Sequence, residues 1–186
     1  IVIGLDEYAQ FIPAHIWTPW FSLYGSRSGF NSIEEAFEEL SDHIKIVETG
    51  LSSDPFMNWR IKDLDGLTLI SDSDAHSAQK LGREANMLDI DLDYQDLISA
   101  LRSNDERMLG TIEFFPQEGK YHYDGHRSCN VVMSPSQSAK VNGICPVCGK
   151  PLIIGVDNRV NELADRSRGE DFKPKKHKLV EYIIPL

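Results

Sequence analysis

The sequence predicts an α/β protein with a parallel sheet or a β/α barrel, followed by a small metal-binding module. Short apolar strands alternate with helical segments over the first part of the chain, which is the pattern of such folds. Towards the other end, a Cys-x-x-Cys pair follows a His-x-x-Cys pair, a spacing typical of a zinc site. We therefore divide the chain into residues 1–108 and 109–186.

Composition limits the classes of function. The 186 residues allow one medium domain with a small module, and 41% hydrophobic content is enough for a core. A net charge of −10 excludes bulk attraction to nucleic acid, so any DNA contact needs a local basic or metal-lined surface. Three cysteines, two of them in Cys-x-x-Cys, favour a metal site over disulfides and predict a reducing, cytoplasmic location.

Each element of the first part has a local signal. Apolar runs mark the strands, whereas Ser32, Ser77 and Asp93 are suitable helix N-caps, the first with Glu35 in a capping-box pattern. An aromatic, Gly- and Ser-rich stretch without periodicity is a loop. The predicted elements are a strand over 9–14, a loop over 16–30, a helix over 34–44, strands over 44–47 and 66–70, and helices over 78–88 and 94–102.

Polar residues stand where three of these strands end. His15 follows the first strand, Glu48 the second, and Asp74 and His76 the third. Because α/β folds place their sites at the carboxyl ends of strands, this coincidence predicts a divalent-metal centre for hydrolysis. Taken singly, each residue is better explained as a loop, packing or capping residue.

Three stretches identify a family resemblance: PAHIWTPWFSLYGSRSGF, VETGLSSDPFMNWR and SDSDAHSAQKLGREAN. Together they resemble the PHP (polymerase and histidinol phosphatase) superfamily, and more closely its endonuclease Q branch, over nearly the whole chain. The resemblance implies the C-terminal part of a distorted β/α barrel with two or three divalent metals (Zn²⁺, Mg²⁺ or Mn²⁺). It also implies that His15, Asp74 and His76 are catalytic metal ligands. Glu48 would lie near the cluster without binding it, and Asp72 would have a supporting role.

The sequence departs from this family in one respect. PHP domains open with a His-x-His motif, and none of the six histidines here has that spacing. We therefore expect a fragment that lacks the N-terminal part of its barrel, and a C-terminal helical region as well. We expect this fragment to be inactive alone.

The aromatic loop has two interpretations. Its rings could plug the barrel mouth, or they could line a pocket that stacks an extruded base. In the second interpretation Arg27 lies near a phosphate, as does Arg83 further along the chain. The predicted substrate-binding residues are Trp20, Ser22, Tyr24, Gly25, Arg27 and Arg83.

The second part carries the zinc motif. A β-hairpin is predicted over 110–123, and the two knuckles that follow supply His126, Cys129, Cys145 and Cys148 as ligands for one structural Zn²⁺. His122 is a competing fourth ligand. The resemblance implies a strand followed by a short helix over 153–169. There Arg159, Arg166 and Arg168 either touch phosphates or form a solvated face, and the basic run 173–178 either contacts DNA or is a linker.

The resemblance implies a metal-dependent DNA repair endonuclease that hydrolyses the phosphodiester 5′ to deaminated bases or abasic sites. DNA would be its partner. A small-molecule phosphoesterase of the histidinol phosphatase type is an alternative, although such a substrate does not need a zinc module. A non-catalytic, zinc-stapled nucleic-acid-binding module is the other.

Overall fold

The structure is a computed structural model that describes residues 4–167 and 173–184. It is mixed α/β, as predicted. The strands are β1 (Ile46–Glu48), β2 (Thr68–Ile70), β3 (Ala85–Leu88), β4 (Met108–Phe114), β5 (Asp124–His126), β6 (Val131–Met133) and β7 (Leu179–Ile183). The helices are α1 (Ile33–Phe37), α2 (Pro55–Asn58), α3 (Tyr94–Ser103), α4 (Pro135–Lys140) and α5 (Val156–Leu163). Short 3₁₀ turns cover Glu38–His43, Lys62–Leu64, Ala78–Lys80, Pro116–Glu118 and Arg127–Cys129.

Strands β1 and β2 form the parallel pair on which the first candidate site is built. Ile46 pairs with Thr68 and Glu48 with Ile70, so both strands end at the same edge. The β-branched Ile46 and Val47 have no exposed surface and suit a strand buried on both faces. The strand predicted over 9–14 is absent, but the amide of Glu48 donates to the carbonyl of Pro13, which keeps that segment beside β1.

Helix α3 confirms its N-cap signal. The Asp93 carboxylate accepts from the amides of Gln95 and Asp96, and the helix ends at Asn104 in the left-handed conformation. At this end the ammonium groups of Lys176 and Lys178 donate to the carbonyls of Ser103 and Asp105. Lys176 therefore caps the C-terminus of α3, and Lys178 holds the turn that follows it, roles that neither interpretation of the run anticipated.

Two further predicted elements are wrong. The helix expected over 78–88 is a single 3₁₀ turn followed by β3, which pairs antiparallel with β4. The hairpin expected over 110–123 is absent because β4 instead lies between β3 and β7, parallel to β7. A hairpin does occur further on, where β5 pairs with β6.

The strands of the described residues form three small sheets, of two, three and two strands. They do not close into a barrel within this part of the chain, and the barrel stays a prediction. The three-stranded sheet joins strands from both sides of residue 108, so the division at that position also stays a prediction. Over residues 4–167 and 173–184, no helix has the length and apolar character to cross a membrane.

Candidate metal module and candidate catalytic cleft

The two knuckles bring four ligands together. His126, Cys129, Cys145 and Cys148 each offer a ligand atom, and these atoms all lie within 4.8 Å of one another. The His126 Nδ1 atom is 3.6 Å from the Cys148 Sγ atom. Three thiols and one imidazole, close enough to share one ion, fit tetrahedral Zn²⁺.

Local backbone geometry builds each knuckle. Asn130, directly after Cys129, has φ 52°, and Gly149, directly after Cys148, has φ 70°. A left-handed residue at this position turns the chain back sharply, which Gly and Asn tolerate best. The Gly149 amide donates to the Cys145 carbonyl over 2.9 Å and closes the second knuckle.

The thiols differ in their electrostatics: hydrogen bonding with the Cys148 thiol, together with burial, raises the pKa of Cys129 to about 11. Burial works to raise the pKa of Cys145, but the amides of Cys148 and Val147 donate to its sulfur and lower the pKa overall. A lowered pKa favours the thiolate, which is the form that binds zinc.

His122 is not part of this group. Its ring is buried, and its Nδ1 atom lies 3.0 Å from the Ser52 carbonyl oxygen. The geometry therefore selects His126 as the fourth ligand and gives His122 a packing role between the module and the 50–54 loop.

A separate cleft of about 520 Å³ lies at the end of β1. It is lined by His15, Glu48 and Asp74, three of the four residues predicted at strand ends. His76 does not line it: the ring is largely exposed, and its Nδ1 atom is 2.9 Å from the Asp74 carbonyl oxygen. The structure thus brings His15 and Asp74 into one site and leaves His76 at the surface.

Glu48 fixes the position of His15. Its Oε2 atom accepts from the His15 amide, and its backbone carbonyl accepts from the Ile16 amide over 3.1 Å. Gly50 packs so closely that a Cβ there would lie 2.9 Å from the His15 Cα. Burial raises the pKa of Glu48, with the His15 contact opposing it. Glu48 therefore contacts the backbone of the candidate ligand, and its supporting role stays a prediction.

Both candidate ligands in the cleft have unusual backbones. His15 has φ 35° and Asp74 has φ 46°, which places them in the left-handed region. Such conformations cost energy in residues other than glycine and concentrate at functional sites. The strain supports a functional role for these two residues. Among the described residues, only the module holds three or more potential ligands close enough for one ion.

Basic side chains line the same cleft. Arg83 was predicted, and its guanidinium donates to the Ser73 carbonyl over 2.8 Å, which holds it at the cleft. Lys80 and Lys120 also line the cleft and were missed. No local signal distinguishes them from other surface lysines, because chain folding alone brings them to His15.

The aromatic loop divides between core and surface. Tyr24 is fully buried, stacks on Trp17 at 4.8 Å between ring centroids, and donates to Asp63. Tyr24 therefore packs in the core, and the prediction that it touches substrate is wrong. Gly25 is also buried, and a Cβ there would lie 2.5 Å from the Thr18 carbonyl oxygen. The Ser22 hydroxyl donates to that same oxygen. Both residues shape the loop.

Two arginines tie the loop to the second part of the chain. Arg27 donates to the Leu152 carbonyl over 3.1 Å. Arg159 is buried and donates to the carbonyls of Tyr24 and Phe30. Arg166 pairs with Asp65. Arg159 and Arg166 therefore hold the structure together, contrary to both the phosphate-contact and the solvated-face expectations, and Arg168 lies outside the described residues.

Trp20 stays accessible. It is 39% exposed and lines a second cavity of about 540 Å³, between the loop and the metal module. Its ring meets that of Tyr121 edge to face, with centroids 6.4 Å apart. Of the predicted substrate-binding residues in the loop, Trp20 is the one that lines a cavity large enough for a nucleobase.

Two buried carboxyls near the cleft escaped sequence analysis. Glu84 and Glu113 are 2% and 0% exposed, and each has one oxygen without a described partner. Burial raises the pKa of Glu84 to about 9 and that of Glu113 to about 8. Repulsion from neighbouring carboxyls acts in the same direction on both pKa values. Nothing in their sequence context sets these glutamates apart from solvated ones.

Comparison with curated proteins finds two long relatives. The chain is 34% identical over 173 residues to the uncharacterized protein MJ0043 of Methanocaldococcus jannaschii, covering 88% of this chain and 21% of that protein. It is 35% identical over 164 residues to the uncharacterized protein YqxK of Bacillus subtilis, covering 87% of this chain and 40% of that protein. The chain thus spans less than half of either relative. No family model matches it.

Comparison with solved structures finds two endonuclease structures that resemble the chain. The lesion-specific endonuclease PfuEndoQ of Pyrococcus furiosus superposes with a TM-score of 0.73 at 31% identity, over 92% of this chain and 41% of that one. An endonuclease Q bound to a 27-mer duplex with an abasic lesion at its active site gives a TM-score of 0.78 at 30% identity, over 94% of this chain and 43% of that one. The described fold is therefore similar to part of endonuclease Q.

Proposed function

We propose that the chain is part of a metal-dependent DNA repair endonuclease that resembles endonuclease Q and belongs to the PHP superfamily. It would hydrolyse the phosphodiester 5′ to a deaminated base or an abasic site. One observation carries the proposal: a fold similar to a lesion-bound endonuclease Q places His15 and Asp74 in one cleft with Lys80, Arg83 and Lys120. Metal ligands beside cations are what a phosphodiesterase needs.

The residues of the cleft would have different roles. His15 and Asp74 would hold part of a divalent-metal cluster, and His76 would join them by moving into the cleft. Metals bound there would activate water and offset charge on the phosphate. Glu48 holds the His15 backbone, and Arg83, held by Ser73, would contact the phosphate.

The metal module would have a structural role. Its four protein ligands leave no open coordination position for chemistry. A ligand set of this kind requires reduced cysteines, which supports a cytoplasmic location.

Replacing Asp74 with Asn tests the proposal. In the full-length protein, this change should abolish the nicking of duplexes that carry uracil or an abasic site, assayed with Mg²⁺, Mn²⁺ or Zn²⁺, while DNA binding is retained. Asp91→Asn is the matched control, because Asp91 is exposed and does not line the cleft. Nicking by the Asp74→Asn variant at the wild-type rate would remove Asp74 from the mechanism. A full-length protein that binds lesion DNA but never nicks it would favour the non-catalytic alternative.

A further inference from the structure

Just beyond the end of β2, the backbone of the buried Ser71 bonds to a side chain instead of to a strand. Its amide donates to the Asn86 Oδ1 atom over 2.9 Å, and its carbonyl accepts from the Asn86 Nδ2 atom over 3.1 Å. The same Nδ2 atom donates to the Asp72 carboxylate over 3.0 Å. Buried backbone groups need hydrogen-bond partners, and here one asparagine amide supplies both partners of Ser71.

Asn86 belongs to the three-stranded sheet, so its side chain joins that sheet to the loop after β2. Residue 86 lies in β3 and pairs with Thr111 of β4. The Ser71 hydroxyl adds a second link, since it donates to the Glu113 carboxylate of β4 over 3.2 Å. Asparagine is depleted in strands. The side-chain bonds of Asn86 to Ser71 and Asp72 give this position a use for an otherwise unfavourable strand residue.

The loop that Asn86 holds leads directly to Asp74. Its next residue, Ser73, is held to the same segment, because its hydroxyl donates to the Glu84 carbonyl and accepts from the Gly82 amide, each over 2.9 Å. Asp74 follows with φ 46°. A backbone in this region persists only where the surrounding structure fixes it, and the bonds to residues 71–73 do so.

The position of the Asp74 carboxylate depends on that backbone. The side chain is 55% exposed, and its ion pair with His76 is 4.0 Å long. Within residues 4–167 and 173–184, its carboxylate accepts no hydrogen bond. The direction in which Asp74 enters the cleft is therefore set by the loop before it.

We propose that Asn86 is a positioning residue for Asp74. By fixing the backbone of residues 71–73, its amide keeps the Asp74 carboxylate at the cleft, where a divalent metal is expected. Asn86 does not line the cleft and acts through the loop alone. Loss of such an outer partner weakens metal binding or activity about 10–100-fold. This inference rests on the proposed function, because it assumes that Asp74 binds metal.

Asn86→Ala in the full-length protein tests the role of this side chain. The half-saturating Mn²⁺ concentration, measured by the electron paramagnetic resonance signal of the free ion, should rise about tenfold or more. Nicking of a duplex with an abasic site should fall at low Mn²⁺ and recover at saturating Mn²⁺, because Asp74 itself is still present. Affinity for the same duplex should match the wild type, since Asn86 lies outside the cleft.

Asn161→Ala is the matched control. It also removes a side-chain amide that bonds to another part of the chain, since Asn161 accepts from Arg60 over 2.8 Å, and it does not line the cleft. This variant should keep the wild-type Mn²⁺ dependence in both binding and nicking.

A second variant keeps the test decisive if alanine at this position prevents folding. Asn86→Thr suits a strand, and its single hydroxyl cannot replace the bonds to Ser71 and Asp72, so it should shift the Mn²⁺ dependence in the same direction. An unchanged half-saturating concentration in the folded variants would overturn the inference. A loss of nicking in them that saturating Mn²⁺ does not restore would also overturn it, because it would show a general structural effect.

The proposed function and the role of Asn86 can fail separately. If the wild-type full-length protein binds no Mn²⁺ and nicks no lesion DNA, both are wrong. If the wild type nicks lesion DNA with Mn²⁺ but the Asn86 variants match Asn161→Ala, only the positioning role is excluded.

Discussion

The metal module and the catalytic cleft differ in how their residues are brought together. The module's ligands lie between positions 126 and 148, and two short knuckles place all four within reach of one ion. The cleft joins positions 15 and 74, and it depends on β1, β2 and the loops that follow them. The spacing of residues in the sequence predicts a site made by local turns, whereas it predicts only part of a site made by long-range packing.

The largest effect should come from breaking the module. Cys145→Ser removes a buried ligand, and zinc should be lost from the chain, because three remaining ligands cannot close the tetrahedral site. Metal content by mass spectrometry under native conditions measures this, with one zinc expected in the wild type. Unfolding of the β5–β6 hairpin should follow, since a segment this small depends on its metal.

Two further variants, His126→Ala and His122→Ala, test which histidine is the fourth zinc ligand. The first should lose zinc, and the second should keep it despite losing its contact with the Ser52 carbonyl. Zinc loss in the His122 variant alone would reverse the ligand assignment.

The next largest effect is a pH dependence of the free energy of unfolding, which we expect from the two buried carboxyls near the cleft. Folding raises the pKa of Glu84 to about 9 and of Glu113 to about 8, so the folded chain keeps protons that the unfolded chain releases near its ordinary glutamate pKa. The free energy of unfolding should therefore fall as pH rises between the unfolded and folded pKa values. The slope is about 1.4 kcal/mol per pH unit for each retained proton.

Glu113→Gln tests this dependence. Glutamine keeps an acceptor for the Ser71 hydroxyl and cannot ionise. Chemical denaturation at several values between pH 5 and pH 8 should show a shallower fall in stability for this variant. Glu118→Gln, at an exposed position, should keep the wild-type slope. Parallel curves for wild type and Glu113→Gln would contradict the buried, protonated assignment.

The sequence predicted the features that depend on local signals better than those that depend on long-range packing. Helix α3 and the zinc ligands were predicted because capping and knuckle signals act over a few residues. Strand β3 was missed because helix-forming residues follow Ser77, yet pairing with β4 outweighs their local propensity. Tyr24 was misassigned because the sequence does not distinguish a buried ring from an exposed one. Lys80 and Lys120 had no signal, since only the fold brings them to His15.

A smaller effect is expected in the core beneath the cleft. Asn58 is fully buried; it accepts from the Trp17 indole over 2.7 Å and donates to the Ser53 hydroxyl and the Asp54 carbonyl. Asn58→Ala leaves the indole N–H unpaired, which should cost about 1–3 kcal/mol of unfolding free energy. Zinc content should stay at the wild-type value, because no contact of Asn58 reaches the module. Loss of zinc in this variant would show that the two regions fold as one unit and remove the distinction between them.

The smallest effect concerns Tyr24, whose ring was predicted to touch substrate and instead packs in the core. Tyr24→Phe removes only the hydroxyl that donates to Asp63 over 2.8 Å and keeps the ring stacked on Trp17. The expected loss is about 1 kcal/mol of unfolding free energy, because Asp63 still accepts from the Ile33 amide. Affinity for lesion DNA should match the wild type, whereas Trp20→Ala should weaken it. A Tyr24→Phe variant with native stability but weaker binding of lesion-bearing duplexes would return Tyr24 to the substrate site. It would also show that the loop opens when DNA binds, so that the cleft depends on motion as well as on packing.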